Sequence, residues 1–128
     1  MDKAAKTWLA SAIDGEGCIS LNLKAKRVQL VVYNTHEGYA KKAKELIPYS
    51  GMTVLHYHCK TPPTERVIYS VHLADKLGVL TVLLQVYPFL VVKREKAWKA
   101  ISFIVKHFGL EVLSRETLDW ISKYRQFS

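Results

Sequence analysis

The chain has 128 residues, of which 49% are hydrophobic, and 19 lysines and arginines against 11 acidic residues give a net charge of +8. A single domain of this length can bury a core without disulfide or metal support, and its hydrophobic content excludes a disordered chain. The basic surplus favours an acidic polymer such as nucleic acid as partner. No apolar run is long enough to cross a bilayer, so we expect no membrane partner, and we expect no small-molecule cofactor.

The first predicted element is a helix over residues 3–17, because apolar residues recur every three or four positions as far as Asp14. Gly15 and Gly17 then suit a helix end with glycine in the left-handed conformation. Apolar and polar residues alternate over 18–34, which predicts a hairpin of two strands with one buried face and one wet, basic face.

The rest of the chain repeats this pattern of helix and hairpin. Asn34 and Thr35 offer an N-cap for the next helix. The remaining elements are predicted as a helix over 37–47, a hairpin over 52–71, and helices over 74–87, 94–108 and 115–124. The sequence therefore predicts one α+β domain, 1–128, with an αββαββα core, a four-stranded antiparallel sheet backed by helices, and extra C-terminal helices.

Strict alternation would collect polar side chains on the sheet face that the helices leave open. Such side chains hydrogen-bond to phosphates and base edges, and a two-stranded ribbon fits the DNA major groove. The predicted DNA-binding residues of this face are Ser20, Asn22, Lys24, Lys26, Arg27, Gln29, Tyr33, His56, His58, Arg66 and Ser70.

Two histidines in the second hairpin also allow a different interpretation. His56 and His58 alternate on one strand with Cys59 next to them, which suggests zinc. No fourth ligand follows at a suitable spacing, so contact with bases or phosphates is the favoured interpretation.

The segment from Trp8 to Ile19 resembles the sequence motif of the LAGLIDADG homing endonucleases. Glu16 keeps the acid of the motif, and Ser11 and Ala12 depart from its usual glycine and large apolar residue. The αββαββα order extends the resemblance over most of the chain. The positions that match the motif are Leu9, Ala10, Ile13, Asp14 and Gly17, with Gly15 as a frequent variant.

A single motif implies that the second motif helix comes from a second copy of the chain, related by a two-fold axis. The expected dimer interface comprises Trp8, Leu9, Ala10, Ser11 and Ala12, whose small members let two helices approach closely. Two Glu16 carboxylates would then meet at the negative ends of two helices, and a divalent cation would relieve their repulsion.

The resemblance also implies roles for residues around the motif. Glu16 and Gly15 are expected to hold Mg²⁺, for which Mn²⁺ or Ca²⁺ could substitute in binding, whereas Asp14 is expected to be structural. Residues 88–93 look like the segment that carries the family's active-site lysine, here Lys93. The remaining expected roles are solvent organisation by Thr35 or His36 and a phosphate contact by Arg94.

The resemblance therefore implies a homodimeric, Mg²⁺-dependent endonuclease that hydrolyses both strands of double-stranded DNA at a long pseudo-palindromic site. One alternative is the same scaffold without cleavage, acting as an intron RNA maturase or a DNA-binding regulator. A further alternative is an unrelated small nucleic-acid-binding domain. The expected location is the cytoplasm or nucleoid, or an organelle matrix if the gene is organellar.

Overall fold

The computed structural model describes residues 1–60 and 63–108, and the side chains of 1–57 and 66–108. The predicted α+β order is confirmed, and the helix predicted over 115–124 lies outside the described residues. The elements are α1 (Lys3–Glu16), β1 (Gly17–Asn22), β2 (Arg27–Asn34), α2 (Glu37–Leu46), β3 (Gly51–Lys60), β4 (Pro63–Leu73), α3 (Lys76–Val86), a 3₁₀ turn (Tyr87–Phe89) and α4 (Arg94–His107). No helix within this described part has the length and apolar character needed to span a membrane.

Helix α1 begins with an N-cap at Asp2 and ends where Gly17 lies close to the Ile13 backbone. The Asp2 side chain accepts a hydrogen bond from the Ala5 backbone N–H at 2.7 Å, which satisfies one free donor of the first turn. At the other end Gly17 is extended, with φ −102°, so the predicted left-handed glycine is wrong. A Cβ on Gly17 would lie 2.7 Å from the Ile13 backbone, and this contact explains the glycine.

The four strands form one antiparallel sheet in the order β1-β2-β4-β3. On one face Val28, Leu30 and Val32 of β2 are buried together with Val71 of β4. Helices α1, α2 and α3 contact β2 and share this core. The opposite face, which we call the open face, carries the alternate residues of each strand.

The turn of the first hairpin differs from the prediction. Strand β1 ends at Asn22, and residues 23–26 form the turn, where Asn22 Oδ1 accepts the Ala25 backbone N–H at 3.0 Å. Lys26 has φ 54°, in the left-handed region. Lys24 and Lys26 therefore lie in the turn rather than on the strand face, because the strand is shorter than the alternation of the sequence suggests.

The second hairpin is one residue out of the predicted phase. Tyr57 lies opposite Arg66 in the β3–β4 register, and His56 lies opposite Val67. His56 therefore lies on the face opposite Arg66, and its placement with Arg66 on the open face was wrong. His58 lies in the same strand opposite Glu65, and its side chain is outside the described range.

The reason for this phase lies at the start of β3. Met52 packs against the core beside Val71, its partner in β4, so the even-numbered residues of β3 point to the helix side. Farther along the strand Val54 and His56 are exposed, although they share this side of the sheet. Burial therefore shows which residues of β3 face the helices only at the start of the strand.

Candidate functional site

Glu16 is the last residue of α1 and is exposed beside the start of β1. Its carboxylate makes no hydrogen bond or ion pair with another residue of the described chain, so it is available to a ligand. Gly15 is also exposed, and a Cβ there would meet nothing within 4 Å. The end of the motif helix thus presents one carboxylate and open space.

Asp14 connects α1 to the segment before α4. Its two carboxylate oxygens accept the backbone N–H groups of Val91 at 2.8 Å and Lys93 at 2.9 Å. Hydrogen bonds from backbone N–H groups to an ionised carboxylate are stronger than neutral ones. The expected structural role of Asp14 is confirmed, because this side chain fixes the loop that carries Lys93.

The Lys93 side chain also hydrogen-bonds to the end of α1. The Nζ ammonium donates to the backbone carbonyls of Ile13 at 3.2 Å and Asp14 at 3.1 Å. A cation at the carbonyl end of a helix satisfies free acceptors and interacts favourably with the helix dipole. The structure therefore brings the Lys93 ammonium to the same helix end as Glu16.

The start of α2 is capped by His36 rather than by Asn34 or Thr35. His36 Nδ1 accepts the Tyr39 backbone N–H at 3.2 Å, so this ring nitrogen carries no proton in the arrangement. Asn34 Oδ1 in turn accepts the His36 backbone N–H at 2.7 Å. Thr35 is exposed between them and is free to contact solvent.

Tyr39 is a neighbour of the site that the sequence did not identify. Its burial and, after that, the negative charge of Glu16 raise the pKa of the phenol. The ring also lies against Trp8, with 4.9 Å between the ring centroids. Tyr39 therefore connects the first turn of α2 to the motif helix.

The motif helix presents a different face from the one expected for a dimer. Leu9, Ala10 and Ala12 are fully buried within their own chain, so their assignment to the dimer interface was wrong. Trp8 is half-buried and packs against Tyr39 and beneath the Lys42 ammonium, which lies 4.6 Å from the ring centroid. The exposed residues that share one side of α1 are Ala4, Thr7, Ser11 and Gly15.

The open face forms six rows of paired residues. It carries most of the residues predicted to bind DNA, and the sequence did not identify several others, among them Thr53, Tyr57 and His72. The Thr53 hydroxyl and His72 Nε2 are hydrogen-bonded across β3 and β4 at 3.1 Å. In order from the first turn the rows are Asn22–Arg27, Ser20–Gln29, Cys18–Val31–His72–Gly51, Tyr33–Ser70–Thr53, Ile68–Leu55 and Arg66–Tyr57.

Two predicted contact residues are less accessible than the sequence suggested. Ser70 lies on the open face but is only 8% exposed between Tyr33 and Thr53, so it cannot reach a partner directly. Arg94 stacks its guanidinium over the Tyr87 ring at 4.7 Å. It is half-buried there, one residue after Lys93.

The metal-ligating side chains of the described residues are dispersed. No three His, Cys, Asp or Glu residues of that part of the chain lie close enough together to hold a metal ion. Among the described residues, the end of α1 offers the Glu16 carboxylate and nearby backbone oxygens as possible cation ligands.

Comparisons with known proteins identify the fold. Two crystal structures of the homing endonuclease I-CvuI match with a TM-score of 0.54 each. One, a complex with its target in the presence of Ca, is 15% identical and covers 94% of this chain and 91% of that chain. The other, a complex with the I-CreI target in the presence of Mg in which the DNA is not cleaved, is 16% identical and covers 95% and 94%.

The α+β fold of this chain is therefore that of the LAGLIDADG homing endonucleases, as the motif implied. No protein-family model matches the sequence, and no curated protein matches it.

Proposed function

We propose that the chain is a site-specific, metal-dependent DNA endonuclease that acts as a homodimer. The observation that carries this proposal is the meeting of Glu16 and Lys93 at one helix end beside a wet, largely polar sheet face. An exposed carboxylate without a partner in the described chain suits a hard divalent cation, which prefers oxygen ligands. The fold of two DNA-bound endonuclease structures supports the same interpretation.

A second copy of the chain would add further cation ligands to those of the first. The exposed side of α1 carries only small residues at Ala4, Thr7, Ser11 and Gly15, which would let a second α1 approach closely. This contact would put two copies of Glu16 next to each other. Glu16 and the Gly15 carbonyl from each copy would hold the cation, which when bound neutralises phosphate charge and acidifies water.

Each side chain around this helix end would then have a separate role. Glu16 provides the negative charge that retains the cation, and Lys93 places a positive charge where a scissile phosphate gains negative charge. Asp14 positions the Lys93 backbone, and Thr35 is free to organise solvent. Arg94, which stacks on Tyr87, would contact a flanking phosphate.

The open face would lie in the major groove and read the half-site. Its six rows are separated by five steps of two residues each, or about 33 Å at about 6.6 Å per step. At about 3.4 Å per base pair this length corresponds to about 10 base pairs. Two copies would therefore contact about 20 base pairs, a long target with approximate two-fold symmetry.

The decisive experiment compares wild type with Glu16→Gln on a site obtained from the protein itself. A duplex pool with a randomised segment is selected for binding in Ca²⁺, and the enriched site is placed in a plasmid. We expect wild type to cut both strands in Mg²⁺ but not in EDTA, and Glu16→Gln to bind without cutting. Asp2→Asn, at the opposite end of α1, is the matched control and should cut normally.

Each other result has a definite meaning. Cleavage by Glu16→Gln would remove this residue as the metal ligand. Binding by the wild type without cleavage would favour the non-cleaving alternative, a DNA-binding regulator or maturase. A failure to enrich any site, together with a monomeric mass, would overturn the proposal as a whole.

A further inference from the structure

The two ends of the open face differ in chemistry. The rows nearest the first turn contain only polar side chains, from Ser20, Asn22, Arg27 and Gln29. Toward the other end, Leu55 and Ile68 form a directly paired apolar row. These two residues point away from the helices that bury the other side of the sheet.

Aromatic and polar residues surround this apolar pair. Tyr33, in the neighbouring row, is 42% exposed, and Tyr57, on the far side, is 50% exposed. Thr53 and Arg66 flank the pair along β3 and β4. Leu55 and Ile68 are thus a small apolar surface inside a frame of hydrogen-bonding and basic groups.

A sheet face that only met water would gain nothing from a paired leucine and isoleucine. In the DNA major groove the one apolar group on a base edge is the 5-methyl group of thymine, and apolar side chains recognise it by contact. The polar frame matches the phosphates and base edges on either side. The charge and the apolar pair therefore fit one partner, a duplex that carries thymine at this position.

We propose that Leu55 and Ile68 read thymine methyl groups, so that the target half-site carries thymine under this row. The inference rests on the proposed function, since it specifies which base pairs the open face selects. The row of Ile68 lies three steps beyond the row of Gln29, which is about 20 Å or about 6 base pairs. The thymine should therefore lie about 6 base pairs from the position that Gln29 contacts.

The test uses duplexes selected from the random pool in Ca²⁺ with wild-type protein. We expect enriched thymine, and replacing that thymine by deoxyuridine, which removes only the methyl group, should weaken binding about fourfold. Deoxyuridine at thymines elsewhere in the site should have little effect. This arm needs no protein variant, so it does not depend on the folding of a mutant.

Protein variants then assign the methyl contact. The double variants Leu55→Ala/Ile68→Ala and Leu55→Thr/Ile68→Thr should bind the thymine site as weakly as wild type binds the deoxyuridine site, with no further loss on deoxyuridine. Gln29→Ala, at the polar end, should lower the overall affinity for the site but keep the full fourfold difference between thymine and deoxyuridine. Thermal unfolding of each variant verifies that it is folded.

The outcomes separate this inference from the function on which it rests. If wild type binds and cuts its selected site but binds deoxyuridine as tightly as thymine, the methyl inference is wrong and the endonuclease proposal stands. If the double variant Leu55→Ala/Ile68→Ala retains the fourfold effect, the contact belongs to other residues and the inference is also wrong. If no site is selected, both proposals fail.

Discussion

Asp14 and Lys93 are joined by two hydrogen bonds. The Asp14 carboxylate accepts the backbone N–H of Lys93 at 2.9 Å, and the Lys93 ammonium donates to the backbone carbonyl of Asp14 at 3.1 Å. The two residues are 79 positions apart in sequence. This reciprocal pair fixes the segment before α4 to the end of the motif helix, so the position of Lys93 depends on Asp14.

Replacing Asp14 by Asn should therefore affect both stability and the placement of Lys93. An amide has one acceptor oxygen, and its NH₂ group would face one of the two backbone N–H donors. We expect a loss of about 1–3 kcal/mol in the free energy of unfolding, because a hydrogen bond from the backbone to an ionised carboxylate is lost. Urea unfolding measures this, and cleavage of the selected site should also slow.

Asp2→Asn is the matched control for this substitution. It makes the same chemical change at the other end of α1, where Asp2 accepts one backbone N–H and asparagine caps a helix about as well. Its unfolding curve should coincide with that of wild type. Equal losses of unfolding free energy in Asp2→Asn and Asp14→Asn would show that the two hydrogen bonds accepted by Asp14 add no extra stability.

Lys93→Met should reduce cleavage strongly and DNA affinity little. Its ammonium lies at the end of α1 near Glu16 rather than on the open face. If Lys93 faces the scissile phosphate as proposed, loss of its positive charge should lower the single-turnover cleavage rate about 100-fold. Lys41→Met, at an exposed residue paired with Glu37, should cut at the wild-type rate. Unchanged cleavage by Lys93→Met would remove Lys93 from the mechanism.

The two glycines around Glu16 should respond oppositely to alanine. Gly17→Ala places a methyl group 2.7 Å from backbone atoms of Ile13, which cannot move aside, so we expect a loss of more than about 2 kcal/mol. Gly15→Ala meets open space inside a helix and should be neutral or stabilising by up to about 1 kcal/mol. Thermal unfolding compares them, and similar melting temperatures would contradict the close approach.

Neighbouring residues of β3 should differ in their effect on DNA binding. Tyr57 lies on the open face opposite Arg66, and His56 lies on the other face. Tyr57→Ala should cost about 1–2 kcal/mol of binding free energy through lost base contact. His56→Ala should change affinity little. A larger effect at His56, in equilibrium binding at fixed salt, would mean that the opposite face of this hairpin meets DNA.

The pKa of Tyr39 predicts a dependence of stability on alkaline pH. Burial, and then the Glu16 charge, raise the pKa of the folded-state phenol above its usual value of about 10. The folded protein therefore keeps this proton to higher pH than the unfolded chain. The associated stability is complete below about pH 10 and is lost as the pH rises through the raised value.

Two variants isolate this contribution. Above about pH 10, wild type should lose stability faster than Tyr39→Phe, which has no phenol to ionise. Glu16→Gln should lower the pKa of Tyr39 toward its usual value without reaching it, since burial remains. Phenolate absorbance and urea unfolding between about pH 8 and about pH 11 measure both effects. An unchanged titration of Tyr39 in Glu16→Gln would show that the Glu16 charge does not affect the pKa of this phenol.

The elements that sequence predicted well are those whose burial is periodic. In the first hairpin Val28, Leu30 and Val32 lie in the core, so its faces followed from the pattern, although Val31 on the open face is buried as well. Strand β3 did not allow this. Thr53, Leu55 and Tyr57 looked at least as suited to a core as Val54 and His56, and neither set is fully buried.

The candidate site shows the same division. The motif identified Glu16, and the resemblance identified Lys93, but no local pattern could reveal that Asp14 binds a backbone 79 residues away. The burial of Leu9, Ala10 and Ala12 was also hidden, because apolar residues fit either a core or an interface between chains. Long-range packing decides such positions, and the period of one helix does not record it.

The sheet order has a consequence for changing specificity. The two hairpins touch only where β2 meets β4, from Leu30–Leu73 to Asn34–Tyr69, and their outer ends lie five rows apart. Substitutions at Arg27 and Tyr57 are thus too distant to share partners, and energies of such distant sites usually add. Each hairpin should behave as a separate module, so that a new hairpin could redirect one segment of the target while the other is recognised as before.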